Sequence, residues 1–466
     1  MRLSAAVVSA LLALQPAAPS YDIVLRNARV LDPATNLDAV RNVAVTGKKI
    51  AAVSAEPLRG RTEIDASGLV AAPGFIDLHS HGQTPENYRY KAMDGVTAAL
   101  ELEVGVSPVS DWYKAREGQS LIHFGASAGH IPARMAVMKD TGGLLPRDAA
   151  MNRVATPEEQ KAIDAIVRRD LDEGGVGMGM GITYTPTATR DEILSLFQLA
   201  ARFRRPVFVH MRGGDVVASL QEVITDAAVT GAALHVVHIN SAATSKTPVA
   251  LQMIDGARAR GLDVTTEAYP YTASMTEIAS AAYSGWEQRE PEFFARLLWP
   301  ATGERLTRET FAKYRSQGGF VIQFGNTEEM VRAAIAHPQV MIASDGIIEN
   351  GKGHPRGAGT FARVLGRYVR EELALGLMDA VRKSSLMPAQ RLEQFAPAMR
   401  AKGRLSAGAD ADIAVFDPAR VIDKATFENA AQYSDGFRYV LVEGTFVVRD
   451  GKLQDGVAPG QAIRAR

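Results

Sequence analysis

PEEQKAIDAIVRRDLDEGGVGMGMGITYTPTATRDEILSLFQLAARFRRPVFVHMRG, residues 157–213, sets two helical patterns against two short apolar runs. In PEEQKAIDAIVRRDLDEGG and RDEILSLFQLAARFR the apolar residues recur at three and four, the spacing of one helix face. VGMGMG and PVFVHMRG are apolar and too short for helices, which fits buried strands. The same alternation extends both ways. FIDLHSHG, VTAALELEVG and LIHFGASAG lie upstream, and LHVVHINS, DVTTEAYPY and VMIASDG downstream. Strands alternating with helices imply a parallel sheet with crossover helices. Eight such runs between Ala72 and Pro397 predict an α/β fold, a (β/α)8 TIM-like barrel, with catalytic groups at the C-terminal strand ends.

The flanks have another texture. YDIVLRNARVLD and NVAVTGKKIAAVS before the barrel, and ADIAVFD and YVLVEGTFVVRDG after it, are β-rich runs punctuated by Gly, Asn and Asp. They predict a small β-sandwich domain built from both chain ends, residues 21–71 and 398–466, around a barrel over 72–397. Residues 282–317, with EQREPEFFARLLWP and GERLTRETFAKYRSQ, read as an amphipathic helical insertion between late barrel units. Met1-Arg2, the apolar run Leu3 to Leu14 and the small residues Pro16 to Ser20 have the pattern of a signal peptide. Residues 1–20 are therefore expected to be removed, with the mature protein periplasmic or secreted.

Composition narrows the chemistry. The chain of 466 residues is 46% hydrophobic, enough for a large core, and Lys+Arg equals Asp+Glu at 52 each. Balanced charge offers no field for nucleic acid or an anionic membrane. No other segment approaches a length that spans a bilayer, so no stable membrane insertion is expected. The sequence leaves monomer and homo-oligomer both open. Cysteine is absent, which excludes disulfides, thiolate nucleophiles and cysteine-held metals. Any metal must rest on His and carboxylates.

Four strand ends carry such groups. Gly74-Phe75-Ile76-Asp77-Leu78-His79-Ser80-His81-Gly82 delivers two histidines at i and i+2 on one face, where both imidazoles can reach one cation. VFVHMRG ends in His210, and LHVVHINS ends in His238. His235, three residues earlier, points to the opposite face. VMIASDG ends in Asp345, a carboxylate able to ligate metal and to accept a proton from water. His130, in GASAGHIPAR, reads as structural, and His123 and His337 have no evident partner.

With these residues in place, the chain resembles the amidohydrolase superfamily, and within it the D-aminoacylase (N-acyl-D-amino-acid deacylase) family. The resemblance covers nearly the whole mature chain: PGFIDLHSHG, GVT, Tyr184 to Pro186, HMR, YPY at Tyr269 to Tyr271, SDG, HPRGAGTFARVLGRYVRE at His354 to Glu371, and GADADIAVFDP at Gly408 to Pro418. It implies the barrel with its two-ended β domain. It also implies His79, His81, His210, His238 and Asp345 as metal-site residues, one or two divalent cations, most simply Zn2+, and hydrolysis of an amide by activated water, with Asp345 the proton shuttle.

Two places depart from the family pattern. Val104 stands where the family has a cysteine ligand, while Glu101 and Glu103 share one strand face among Leu and Val. A buried unpaired carboxylate is costly, so one of them is expected to bridge the cations. Glu103, nearer the strand end, is preferred, with pairing to a base such as Arg212 as the alternative. A carboxylate in place of a thiolate also admits Mn2+ or Co2+. The second departure is Asn240, where the family places a lysine for the substrate carboxylate. Arg356 remains as a guanidinium that can grip a carboxylate, with Tyr184 and Tyr269 or Tyr271 as pocket lining. The expected partner is a small-molecule amide with a carboxylate, most simply an N-acyl-(D-)amino acid. A dipeptide or cyclic amide is the alternative, and a non-catalytic periplasmic binding protein is the reading outside enzymes.

Overall fold

The structure, a computed structural model, describes residues 21–465. The predicted signal peptide lies outside the described residues. Eight parallel strands, each beside the next in chain order, form the central sheet: Phe75–Asp77, Val96–Val106, His123–Gly129, Met178–Gly181, Val207–His210, Leu234–Val236, Val264–Ala268 and Val340–Ile342. They coincide with the eight apolar runs of the sequence. Beyond the first and eighth strands, Ser80 and Gly346 make a parallel bridge, which brings the sheet's edges together. Barrel strands buried on both faces explain why these runs read as continuous rather than alternating.

The helices between the strands start where the sequence supplies caps. Thr156 and Glu159 form a reciprocal capping box at the head of Pro157–Asp172, and Thr189 and Asp215 cap Arg190–Phe203 and Val216–Thr230. Each such cap stabilises its helix by about 1 kcal/mol. Ile163, Val167 and Leu171 turn inward from the first of these helices, at the four-residue spacing seen in the sequence.

The two chain ends meet in one nine-stranded sheet. Val70–Pro73 joins them, pairing in parallel with Tyr21–Asp32 and antiparallel with Ile413–Phe416. Leu25, Val30, Val43, Ile413 and Leu441 belong to its own apolar core. Beneath the barrel, Asp412 accepts from His123 Nε2 at 3.1 Å and pairs with Lys402 at 2.7 Å, with all three side chains buried. This cluster supplies the partner that sequence alone did not give His123. His337 likewise pairs with Asp255 at 3.1 Å.

Between the seventh and eighth strands the chain builds a four-stranded antiparallel sheet from Ala273–Glu277, Leu297–Trp299, Glu304–Arg305 and Phe320–Phe324. The region predicted as helical does hold the helices Pro291–Ala295 and Arg308–Gln317, but Leu297–Trp299 and Glu304–Arg305 between them are strands. Two- and three-residue strands are too short to show a period in sequence. Ile278, Tyr283, Phe294 and Phe311 give the insertion a small core of its own. Among the described residues, no helix is long and apolar enough to cross a membrane.

Candidate metal centre and its cavity

Glu103 sits at the middle of the predicted ligands. Its Oε2 lies 3.0 Å from His79 Nε2 and 3.1 Å from His81 Nε2, while its Oε1 lies 2.7 Å from His210 Nδ1 and 3.6 Å from His238 Nε2. Asp345 Oδ1 joins the first group, 3.3 Å from His81 Nε2 and 3.5 Å from His79 Nε2. Two sets of donor atoms close enough to hold an ion therefore share one carboxylate: His79, His81, Glu103 and Asp345, and Glu103, His210 and His238. His210 ends its strand, His79, His81, His238 and Asp345 lie just beyond theirs, and Glu103 lies within Val96–Val106. His238 and Asp345 take positive φ, 32° and 51°, conformations that non-glycine residues adopt at a cost and that cluster at functional sites.

Glu101 does a different job from Glu103. It accepts from His81 Nδ1 at 2.7 Å, which fixes the tautomer and leaves Nε2 facing the centre. Glu267, from the seventh strand, does the same for His79, 2.5 Å from its Nδ1. Sequence reasoning passed over Glu267, although it occupies a strand end in DVTTEAYPY. The spacing predicts His235 on the opposite face from the ligands, but it lies beneath them, bonding Glu267 at 3.1 Å and Thr265 Oγ1 at 2.8 Å and packing on Phe208. Arg212 pairs with Glu222 instead of a barrel glutamate. His130 is buried against Glu192 at 2.8 Å, in keeping with a structural role.

The donor set fits divalent cations. Two pairs of imidazole nitrogens point at each other across 3.2 Å, His79 with His81, and 3.1 Å, His210 with His238. His79 and His81 each spend Nδ1 on a carboxylate, so when neutral their facing Nε2 lone pairs are open to a shared cation. Of the buried carboxylates Glu101, Glu103, Glu267 and Asp345, Asp345 alone pairs with a guanidinium among the described residues, that of Arg356, so with neutral imidazoles the other three carry unbalanced negative charge. Buried ions without partners cost several kcal/mol each. Burial alone would lower the His79 imidazole, yet Asp345, Glu267 and Glu103 push it up to about 10. His81 is likewise raised by Glu101 and Asp345 against its burial, and Glu103, despite desolvation, is held well below the usual carboxylate range by His210, His238 and His79. The two raised imidazoles have the sign of a cluster rich in negative charge, whereas Glu103 is held down by the imidazoles that surround it.

A cavity of about 230 Å³ opens beside the centre. His210, His238 and Asp345 form its floor, and Tyr184, Ser241, Ser274, Thr276, Gln323 and Asn326 stand among its walls. Four of these belong to the inserted sheet or its edge. Of the predicted substrate contacts, Tyr184 lines the cavity and donates no charge, whereas Tyr269, Asn240 and Arg356 lie behind the wall. Asn240 is spent on the backbone, donating from Nδ2 to the Tyr269 carbonyl at 3.0 Å. Arg356 lies 2.9 Å from Asp345 Oδ2 and stacks on Tyr269 at 4.5 Å.

Histidines converging on a shared glutamate at the C-terminal mouth of a parallel barrel define a metal-dependent hydrolase. The sequence model of the amidohydrolase family matches residues 62–448. The protein belongs to that family and is a hydrolase of carbon–nitrogen bonds. It is 29% identical to an N-acyl-D-glutamate deacylase of Alcaligenes xylosoxydans xylosoxydans over 91% of this chain and 93% of the relative. The crystal structure of N-acyl-D-glutamate deacylase from Bordetella bronchiseptica, complexed with zinc and a phosphonate mimic of the tetrahedral intermediate, superposes with a TM-score of 0.82 at 28% identity, covering 96% of this chain and all of that one. A D-aminoacylase structure with a binuclear metal centre gives 0.81 at 26% identity, again over 96% of this chain and all of that one.

Proposed function

We propose that the enzyme removes the acyl group from an N-acyl-D-amino acid. The observation that carries this reading is Glu103 shared between two donor sets at the floor of a cavity, in a chain related over its length to deacylases of N-acyl-D-amino acids. His79, His81 and Asp345 would hold one cation and His210 and His238 the other, with Glu103 common to both. When bound, such cations lower the pKa of water toward neutrality and polarise an amide carbonyl.

The protein's own groups do the rest. Asp345 is ionised, because Arg356 and the imidazoles outweigh the burial that would protonate it. It therefore accepts the proton of the attacking water and returns it to the leaving nitrogen, so that the amide closes to a carboxylate and an amine. Arg356, 2.9 Å from Asp345 Oδ2, holds the Asp345 carboxylate in place. Glu101 and Glu267 hold His81 and His79 in the tautomer that the site requires.

The test is hydrolysis of paired D and L N-acetyl amino acids, with dipeptides, hydantoin and dihydroorotate as competitors, by protein loaded with Zn2+, Mn2+ or Co2+. Turnover of the D substrates is expected. Turnover confined to cyclic amides or dipeptides would overturn the reading.

Export is proposed on the signal-like residues 1–20 alone. Intact mass of the protein from a periplasmic fraction would show their loss; retention of Met1 to Ser20 would contradict export.

A further inference from the structure

The barrel has a second cavity, of about 260 Å³, at the end opposite the metal centre. Asp263 and Gln339, which line it, immediately precede the seventh and eighth strands, whereas the metal-site residues lie at or near the other ends of their strands. Its roof is the helix Met387–Leu392, which contributes Met387, Gln390 and Arg391.

Arg391 carries the chemistry of this space. Its side chain is 2% exposed, and Nη1 donates to Asp263 Oδ1 at 2.5 Å. Nε and Nη2, both buried, have no hydrogen-bond partner among the described residues. These two N–H groups form one edge of the guanidinium, the edge that takes both oxygens of a carboxylate or phosphate side by side. Buried donors left unmade are costly, and a matching acceptor removes the cost. Charge points the same way. Arg258 adds a second guanidinium, with Nη1 on the Val264 carbonyl at 2.8 Å, and among the described residues that line the cavity Asp263 is the only acid. Two cations and one anion leave one positive charge over. The Asp263 carboxylate reaches solvent, which screens its repulsion of a further anion. Met341, which is buried, and Met387 give the space an apolar side, and their polarizable thioethers suit a hydrocarbon body better than a bare inorganic ion.

We propose that this cavity binds a small organic carboxylate, its two oxygens on Arg391 Nε and Nη2 and its hydrocarbon part against Met341 and Met387. Isothermal titration calorimetry of the metal-loaded enzyme with butyrate, acetate and inorganic phosphate is the test. A saturable site is expected, tightest for butyrate. Arg391→Met removes both donors and should raise the Kd about 10-fold or more. Because Arg391 is buried and paired, Gln390→Glu is measured beside it: this exposed position sets a second carboxylate at the mouth and should weaken binding with the core and the rate of hydrolysis unchanged. His210→Ala, at the far end of the barrel, should keep the site. Binding lost in His210→Ala and unaltered in Gln390→Glu would put the anion at the metal centre and overturn the proposal. Phosphate bound as tightly as butyrate would overturn it too, as would no saturable heat with any of the three, since water alone would then meet the guanidinium.

Discussion

Asp345 and Arg356 face each other across 2.9 Å, carboxylate Oδ2 to guanidinium Nη1, with both side chains buried. Burial would raise the Asp345 carboxyl, and the guanidinium is the largest influence lowering it. Arg356→Met should therefore raise the carboxyl, so that protonation disables the base at higher pH. The acid limb of the kcat/KM profile is expected to move up by about 1–3 units. A uniform loss of rate with an unmoved acid limb would mean that Arg356 serves the substrate instead.

The division of labour between Glu101 and Glu103 is open to a metal assay. Glu103→Ala removes an oxygen from both donor sets, and bound metal and turnover should be lost together. Glu101→Ala leaves the ligands in place and frees only the His81 ring, with a cost of about 10–100-fold in metal affinity. Elemental analysis of the two variants after purification without chelator checks the order. A larger metal loss in Glu101→Ala would exchange the roles.

Glu267 is a test of orientation without ligation. Glu267→Gln keeps a hydrogen-bonding side chain beside His79 Nδ1 but removes its charge, and metal affinity should fall by about 10-fold or more. Competition with a chromophoric chelator measures this directly. Wild-type affinity in the variant would show that His79 needs no such support.

Away from the centre, Lys402→Met should destabilise the fold by about 3–5 kcal/mol, because Asp412 keeps its charge and loses a buried partner. Despite its burial, Asp412 is held below the ordinary aspartate range, with His123 and Lys402 responsible. Its stabilisation is thus present above the unfolded aspartate pKa of about 3.9 and is lost as pH falls through and below it. Urea unfolding should show the full deficit near neutrality and a smaller one in acid.

The barrel was legible because its strands are apolar runs cut off by turn residues, and because caps such as Thr156 mark the helices between them. The ligands were legible because strand alternation fixes which side chains share a face. That rule sets Glu101 and Glu103 on one side, but it fails for His235 and His238, because the strand ends at Val236 and His238 takes a positive φ beyond it. Alternation leaves Glu101 and Glu103 equivalent; nearness to the strand end favours Glu103 as the shared ligand, and the partner of Glu101, His81, comes from the neighbouring strand and is not legible. Glu267 escaped notice because one carboxylate on a Thr-rich strand carries no motif. Asn240 and Arg356 were placed in the pocket by resemblance, and the structure spends them on the Tyr269 backbone and on Asp345. The inserted strands were invisible for want of length.

Ser274, Thr276 and Gln323 stand on a sheet whose apolar core is separate from that of the barrel. Changes there reshape the cavity wall while the barrel ends that carry Glu103 and Asp345 stay fixed. Diversification of the substrate range can thus proceed by drift in one loop-borne module, without each trial passing through an inactive catalyst.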